Sequence, residues 1–341
     1  MKPTPFSAFE RRGFNVRPAT MDDLEETVSM FNRCSQKMIG VDEFTPTKYR
    51  REWQAPGFEL EHDTRLVLSK DDAIVGCVEV WAIFDPPVHP WVWARVDPRW
   101  EGRGIGTAML RWGKARAIEA TFDRVPEPYR IAMYCGTYGD HQASQGLFED
   151  FGMRLIRRAY RMRIDFNGPL SESTWPRGIG LRTYNHAKDA EAVYLANDEA
   201  FRDHWGYVET TFEQGFDRWL HFLVNRDGFD PSLWFLAVDG EEIAGMALCR
   251  PEADDDAAIG WVGELCVRRP WRRRGLGLAL LRHAFVEFRR RGKRGVGLGV
   301  DAENLTGALR LYKRAGMHVE RNRLTYALEL RSGVELATES L

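Results

Sequence analysis

Two short glycine-rich stretches carry the most specific chemistry in the chain. One reads V-D-P-R-W-E-G-R-G-I-G-T-A-M-L, from Val96 to Leu110. The other reads V-R-R-P-W-R-R-R-G-L-G-L-A-L-L, from Val267 to Leu281, and the two align without a gap. Each follows an apolar, strand-like run and precedes a helical pattern. Strand, glycine turn, helix is an anion-binding architecture. Glycine lets the backbone approach a ligand, and the helix start offers free N–H groups and the positive end of a dipole. The spacing is not G-x-x-x-x-G-K-[ST], and G-x-G-x-x-G fails because Met109 and Leu280 stand at its third glycine. What remains in the second stretch is Arg272-Arg273-Arg274-Gly275-Leu276-Gly277. Three cations at a helix start oppose the dipole, and an anionic ligand would offset that conflict.

The elements around these turns are themselves repeated. F-E-D-F-G-M (Phe148 to Met153) follows the first turn, and Y-K-R-A-G-M (Tyr312 to Met317) the second. Upstream of each turn, two strand-like runs meet at hairpin chemistry, Asp71-Asp72 and Asp239-Gly240. After the second turn, Leu276, Leu280, Leu281, Ala284, Phe285 and Phe288 fall at helical spacing. The chain therefore reads as two copies of one α/β unit, 13–166 and 178–330, joined by a Gly-, Pro- and Ser-rich linker at 167–177. Its 341 residues suit two domains. With 44% hydrophobic and 29% charged residues it has enough apolar surface for packed cores.

The arrangement resembles the GCN5-related N-acetyltransferase (GNAT) superfamily, and the resemblance covers nearly the whole chain twice. It implies two tandem GNAT-like domains, each with a mixed, mostly antiparallel sheet flanked by helices. It also implies acetyl-CoA as co-substrate. The pyrophosphate would lie on Arg272, Arg273, Arg274, Gly275, Leu276 and Gly277, and the pantetheine arm along the backbone of Leu265, Cys266 and Val267. Asn304 and Tyr312 stand where the family places an Asn and then a Tyr, so Tyr312 is the expected proton donor to the leaving thiolate. Glu264 shares a strand face with Cys266. It is placed to deprotonate an incoming ammonium, or only to bind it. Asp203, His204 and Trp205 form a polar-aromatic cluster at a helix end. That cluster would either hold the acceptor amine or serve as core aromatics ahead of a glycine cap at Gly206.

The halves are not equivalent. In the first, Glu101 stands for Arg272, Trp93 for Glu264 and Phe148 for Tyr312. The first half is expected to be a degenerate copy and the second the catalytic one. The expected activity is acetyl transfer to a primary amine of a small molecule or peptide; a non-catalytic acyl-CoA-binding protein is the alternative. The formal charge of −2 argues against nucleic acid. The Arg289–Arg294 run reads as a solvated helix end, and Asp254–Asp256 as an exposed loop. No metal spacing and no C-x-x-C pair occur, and the five cysteines read as buried hydrophobes in a reducing compartment. No apolar run reaches membrane length and the first residues lack a signal-type apolar core, so a cytoplasmic protein is expected. It would be a monomer whose two units form a pseudo-dimer, or a homodimer.

Overall fold

A computed structural model describes residues 6–11, 13–303 and 307–339. The chain forms two compact units: Met1–Ile156 with Leu324–Leu336, and Arg157–Arg323 with Ala337–Leu341.

Unit 1 contains α1 (Ser7–Glu10), β1 (Asn15–Arg17), α2 (Leu24–Ile39), α3 (Pro46–Trp53), α4 (Leu60–Asp63), β2 (Thr64–Leu68), β3 (Ile74–Trp81), β4 (Trp91–Val96), α5 (Ile105–Thr121), β5 (Ile131–Tyr138) and α6 (Gln142–Asp150). Its sheet runs β1-β2-β3-β4-β5, antiparallel except for β4 and β5, which are parallel and share the pair Trp91–Tyr134. Asp72 supplies the positive-φ residue of the β2–β3 hairpin. α5 packs into a core with Val78, Val80, Val92 and Met133, which Leu324 and Tyr326 complete from the far end of the chain.

Unit 2 contains β6 (Arg154–Asp165, counted here from Arg157), β7 (Ile179–Thr183), α7 (His186–Phe201), α8 (Phe212–Trp219), β8 (Trp234–Asp239), β9 (Glu242–Arg250), β10 (Ile259–Val267), α9 (Leu276–Arg290), β11 (Gly295–Asp301) and α10 (Ala308–Arg314). A last strand, β12 (His318–Arg331), begins in unit 2 and ends in unit 1. The sheet of unit 2 runs β6-β11-β10-β9-β8-β7. The compact units are thus not the linear halves of the repeat. β6 pairs residue for residue with β11, from Ala159–Asp301 to Asp165–Gly295, and a strand belongs where its ladder is.

The helical stripe of α9 is buried as its spacing predicts, against Val262, Val296 and Leu298. Burying each such Leu or Phe contributes about 1.5–3 kcal/mol. The opposite face of the sheet carries a second core, where Val193, Tyr194, Ala196 and Trp219 from α7 and α8 meet Met246, Leu248 and Cys266.

One surface expectation changes. Asp255 is not in an exposed acidic loop: its side chain is 3% exposed, with Arg161 and Arg321 each at 2.7 Å. The Arg289–Arg294 run is a solvated helix end, with Arg289, Arg290 and Arg294 exposed, and it carries surface ion pairs. Arg290 and Arg291 each meet Glu287 at 2.7 Å, and Arg294 meets Asp256 at 2.7 Å. All five cysteines are buried and free.

Candidate active site

β10 is where unit 2 opens. Its parallel pairing with β11 runs from Ile259–Gly295 to Val262–Leu298 and stops there. A bulge between Val262 and Glu264 shifts its register with β9 at the same point. Beyond the bulge, Glu264 to Val267 pair only with β9 among the described residues, so their edge toward β11 carries no ladder. An extended arm with amide groups can add itself to such an edge. Across the β9 ladder Glu264 stands opposite Leu248 and Cys266 opposite Met246, on the α7 face. Leu265 and Val267 point to the α9 face.

Glu264, Cys266 and Tyr312 converge beside this opening. Glu264 is half-buried, and burial raises its carboxyl pKa to about 7. A carboxyl poised near neutrality is tuned to exchange protons at working pH. Tyr312, on α10, is 7% exposed. Burial, then the neighbouring Glu264 carboxyl and Cys266 thiol, push its phenol pKa upward. Tyr312 therefore keeps its proton throughout the neutral range. Cys266 is also pushed upward, first by burial and then by Glu264, which makes it an inert neighbour and not a thiolate nucleophile.

The glycine turn lies at the end of the same strand. Arg273 (φ +64°) and Gly275 (φ +86°) both adopt the left-handed conformation, and α9 begins at Leu276. This backbone turns successive N–H groups inward as an anion nest. Gly277 is in a tight place: a Cβ there would sit 3.1 Å from Leu311 Cδ1, which would have to move aside. Arg273 and Arg274 are exposed at the rim. The turn, its two rim cations and the unpaired strand edge fit a long pyrophosphate-bearing acyl carrier such as acetyl-CoA. Asn304 lies outside the described residues.

Arg272 and Asp203 do something the sequence reading did not anticipate. Asp203, expected to hold an amine, has a side chain only 3% exposed. It accepts from Arg272 Nη1 at 2.7 Å and from Arg269. Its pKa falls to about 2, the hydrogen bond from Arg269 leading over the opposing effect of burial. Arg272 also donates through Nε to Val267 O at 3.0 Å and through Nη2 to Ala200 O at 3.1 Å. Next along the loop, His204 packs edge-on against Phe201 at 4.3 Å, and burial lowers its pKa. The Trp205 ring lies 5.1 Å beneath Arg157, which also binds Asp301 at 2.9 Å. His204 and Trp205 thus keep a polar-aromatic wall, but Asp203 is not an open anion in it.

Unit 1 keeps the shape of the turn and has other residues in place of Glu264 and Tyr312. Gly102 (φ +72°) and Gly104 (φ +82°) reproduce the left-handed positions of Arg273 and Gly275. Trp93, in place of Glu264, packs against Phe31 at 4.5 Å and Phe44 at 5.7 Å. Glu79, opposite Trp93 in the ladder, is 1% exposed. It accepts from Tyr49 Oη at 2.6 Å, Trp53 Nε1 at 2.8 Å and Trp81 Nε1 at 3.0 Å. Phe148 is buried in the core. Glu101 is paired with Lys37 at 2.5 Å, so its charge is not left to repel a phosphate. An open cleft of about 700 Å³ lies along α2 and the turn before α5, beside Asp97 and Arg99.

A duplicated, mostly antiparallel sheet that parts beside an anion-binding glycine turn defines a tandem N-acetyltransferase. The chain belongs to the acetyltransferase (GNAT) family, which matches residues 24–153 and 190–317. It is 32% identical over 235 residues to the mycothiol acetyltransferase of Thermobispora bispora, covering 68% of this chain and 72% of that one. It is 29% identical to that of Streptomyces scabiei, covering 81% and 83%. Among solved structures, a GCN5-related N-acetyltransferase from Sphaerobacter thermophilus superposes with a TM-score of 0.77 at 32% identity, covering 95% of this chain and 98% of that one. A tandem GNAT protein from the clavulanic acid biosynthesis pathway shares the fold, with a TM-score of 0.69 at 14% identity and 94% and 100% coverage. Among the described residues no helix is long and apolar enough to cross a membrane.

Proposed function

We propose that this acetyltransferase acts on a primary amine and that the reaction runs in unit 2. The supporting observation is the convergence of Glu264 and Tyr312 where β10 parts from β11. The matching positions of unit 1 hold Trp93 and Phe148. Acetyl-CoA supplies the acyl group as a thioester. Glu264 takes the proton from the incoming ammonium, because a carboxyl with a pKa near 7 is a competent base at neutral pH. Tyr312 holds a proton for the departing sulfur, which its raised pKa guarantees is present. The free N–H groups beyond the bulge offer donors to the carbonyl oxygen. The turn from Arg272 to Gly277 anchors the pyrophosphate. His204 and Trp205 form the acceptor wall.

The mycothiol acetyltransferases among the relatives put the amine acetylated by those enzymes first among acceptors to assay. Release of free CoA thiol across a panel containing that amine, amino sugars and peptide N-termini tests the proposal. Turnover with a primary amine that Gly275→Asp abolishes supports it. Tight acetyl-CoA binding without turnover on any amine would make the chain an acyl-CoA-binding protein instead.

A further inference from the structure

The loop that bears Asp203 is stitched to the glycine turn by two ion pairs, and unit 1 holds the same two pairs with their signs exchanged. In unit 2 the helix side is acidic. Glu199 accepts from Arg268 Nε at 2.7 Å, and Asp203, just past the end of α7, accepts from Arg272 Nη1 at 2.7 Å. In unit 1 the helix side is basic. Arg33 Nε donates to Asp97 at 2.7 Å, and Lys37 Nζ donates to Glu101 at 2.5 Å. The repeat aligns Asp97 with Arg268 and Glu101 with Arg272. One common shift likewise carries Arg33 onto Glu199 and Lys37 onto Asp203. All four positions have changed sign, and both contacts survive. What the two copies share at these places is therefore the pairing and not any one charge.

That bears on what Arg272 does. Loss of a phosphate ligand in a copy that binds no phosphate would explain Glu101, but not Lys37, which stands opposite it. A residue whose duty is to hold the turn against a helix can become a glutamate, provided its partner changes with it. In unit 2 three of the five N–H groups of Arg272 are already committed, to Asp203, Val267 O and Ala200 O. The exposed cations at the nest are its neighbours Arg273 and Arg274. Asp203 holds Arg269 as well, and the adjoining loop is fixed from its other side. Thr338 O accepts from Gly206 N at 2.8 Å, and Thr338 N donates to Tyr207 O at 2.9 Å. The loop is thus a rigid bracket with the glycine turn on one side and His204 and Trp205 on the other.

We propose that Asp203 is a positioning residue for acetyl-CoA. It acts through Arg272, which clamps the glycine turn to the end of α7 and leaves the pyrophosphate to the backbone N–H groups, Arg273 and Arg274. The proposal rests on the reading that unit 2 holds acetyl-CoA.

Calorimetric titration with acetyl-CoA decides it, on the whole chain and on four variants: Gly275→Asp, Asp203→Lys, Arg272→Glu, and Asp203→Lys with Arg272→Glu. Gly275→Asp identifies the binding that belongs to unit 2; if it changes nothing, the reading of unit 2 fails, and the proposal with it. Where it removes that binding, each single charge reversal weakens it about tenfold or more, because like charges then face each other at a buried site. The double reversal restores the pair in the polarity of unit 1 but leaves the lysine introduced at position 203 facing Arg269 and the Val267 and Ala200 carbonyls without their donor, so it recovers part of the loss and binds at least about threefold tighter than either single reversal. A double reversal no tighter than Arg272→Glu alone overturns the proposal and makes Arg272 a phosphate ligand. Thermal melts establish that each variant is folded. If Asp203→Lys does not fold, Asp203→Asn and Arg272→Met are combined instead. A clamp requires their losses in affinity to overlap, whereas a direct phosphate grip makes them add.

Discussion

Glu264→Gln separates the chemical and structural consequences of one buried carboxyl. In the folded chain this group keeps its proton up to about pH 7, against an ordinary value of 4.5. Between those two pH values the folded state binds more protons than the unfolded state, so stability falls as pH rises through that window. Each pH unit is worth about 1.4 kcal/mol, so the ionised carboxylate costs the fold about 3 kcal/mol above pH 7. That is an upper bound, because the residue is half-buried. Glutamine has the same shape and no charge to desolvate. Urea melts should therefore find the variant close to the parent at pH 4 and more stable at pH 8, by up to about 3 kcal/mol. Activity should move the other way. In the parent, kcat/KM for the amine rises as pH climbs through about 7 and the base forms. The variant should lose that limb and about 10²–10⁴-fold in rate. A variant less stable than the parent at pH 8 would refute the desolvation argument. A variant with the parent's pH profile would refute the assignment of the base.

Tyr312→Phe should lower turnover by about 10²–10⁴-fold while leaving acetyl-CoA affinity within a few-fold by calorimetry. Gly104→Asp should leave turnover nearly intact and Gly275→Asp should abolish it, with both proteins folded by circular dichroism; the reverse pattern would move the chemistry to unit 1. Asp255→Ala should cost about 1–3 kcal/mol in urea melts, because Arg321 loses the carboxylate it pairs with while Arg161 keeps Glu320; a loss under about 1 kcal/mol would mean that water already screens Arg321.

Much of the frame is legible in the sequence because it is written locally. The α9 stripe, the Asp72 and Gly240 hairpin turns, and the shared face of Glu264 and Cys266 follow from periodicities of 3.6 and 2 and from turn chemistry. The misread parts depend on partners far along the chain. Asp255 looks like one residue of an acidic loop until Arg161 and Arg321 are brought to it. Asp203 looks free for a ligand until Arg269 and Arg272 arrive. Glu101 looks hostile to phosphate until Lys37, 64 positions away, neutralises it. The assignment of β6 to unit 2 was hidden for a related reason: the repeat records which strand follows which, while the ladder records which strand bonds to which. One signal was available and unread. Acid and base trade places at aligned positions of the two copies, and such an exchange marks a pair in contact.

The divergence of the units follows from what each position must do. Both turns keep their left-handed conformation, with glycine at Gly104 and Gly275 and with Arg273 standing where unit 1 has Gly102. The clamp keeps its pairing but not its polarity, since only complementarity is needed to hold a turn to a helix. The positions proposed to react are under neither constraint: at Tyr312 the fold asks only for a buried ring, which Phe148 supplies equally in unit 1. Glu264, the proposed base, costs stability when it is ionised. Where the chemistry is absent, unit 1 has an aromatic residue at each place. Trp93 closes over Phe31 and Phe44, and Phe148 joins the core. Unit 1 also turns its own carboxylate, Glu79, inward to three neutral donors. At the positions of Glu264 and Tyr312, unit 1 thus has packed aromatic side chains, and its own carboxylate is fully satisfied. Restoring single residues such as Trp93→Glu or Phe148→Tyr should therefore not restore catalysis to unit 1, because each replacement supplies one group while the other place still holds an aromatic side chain.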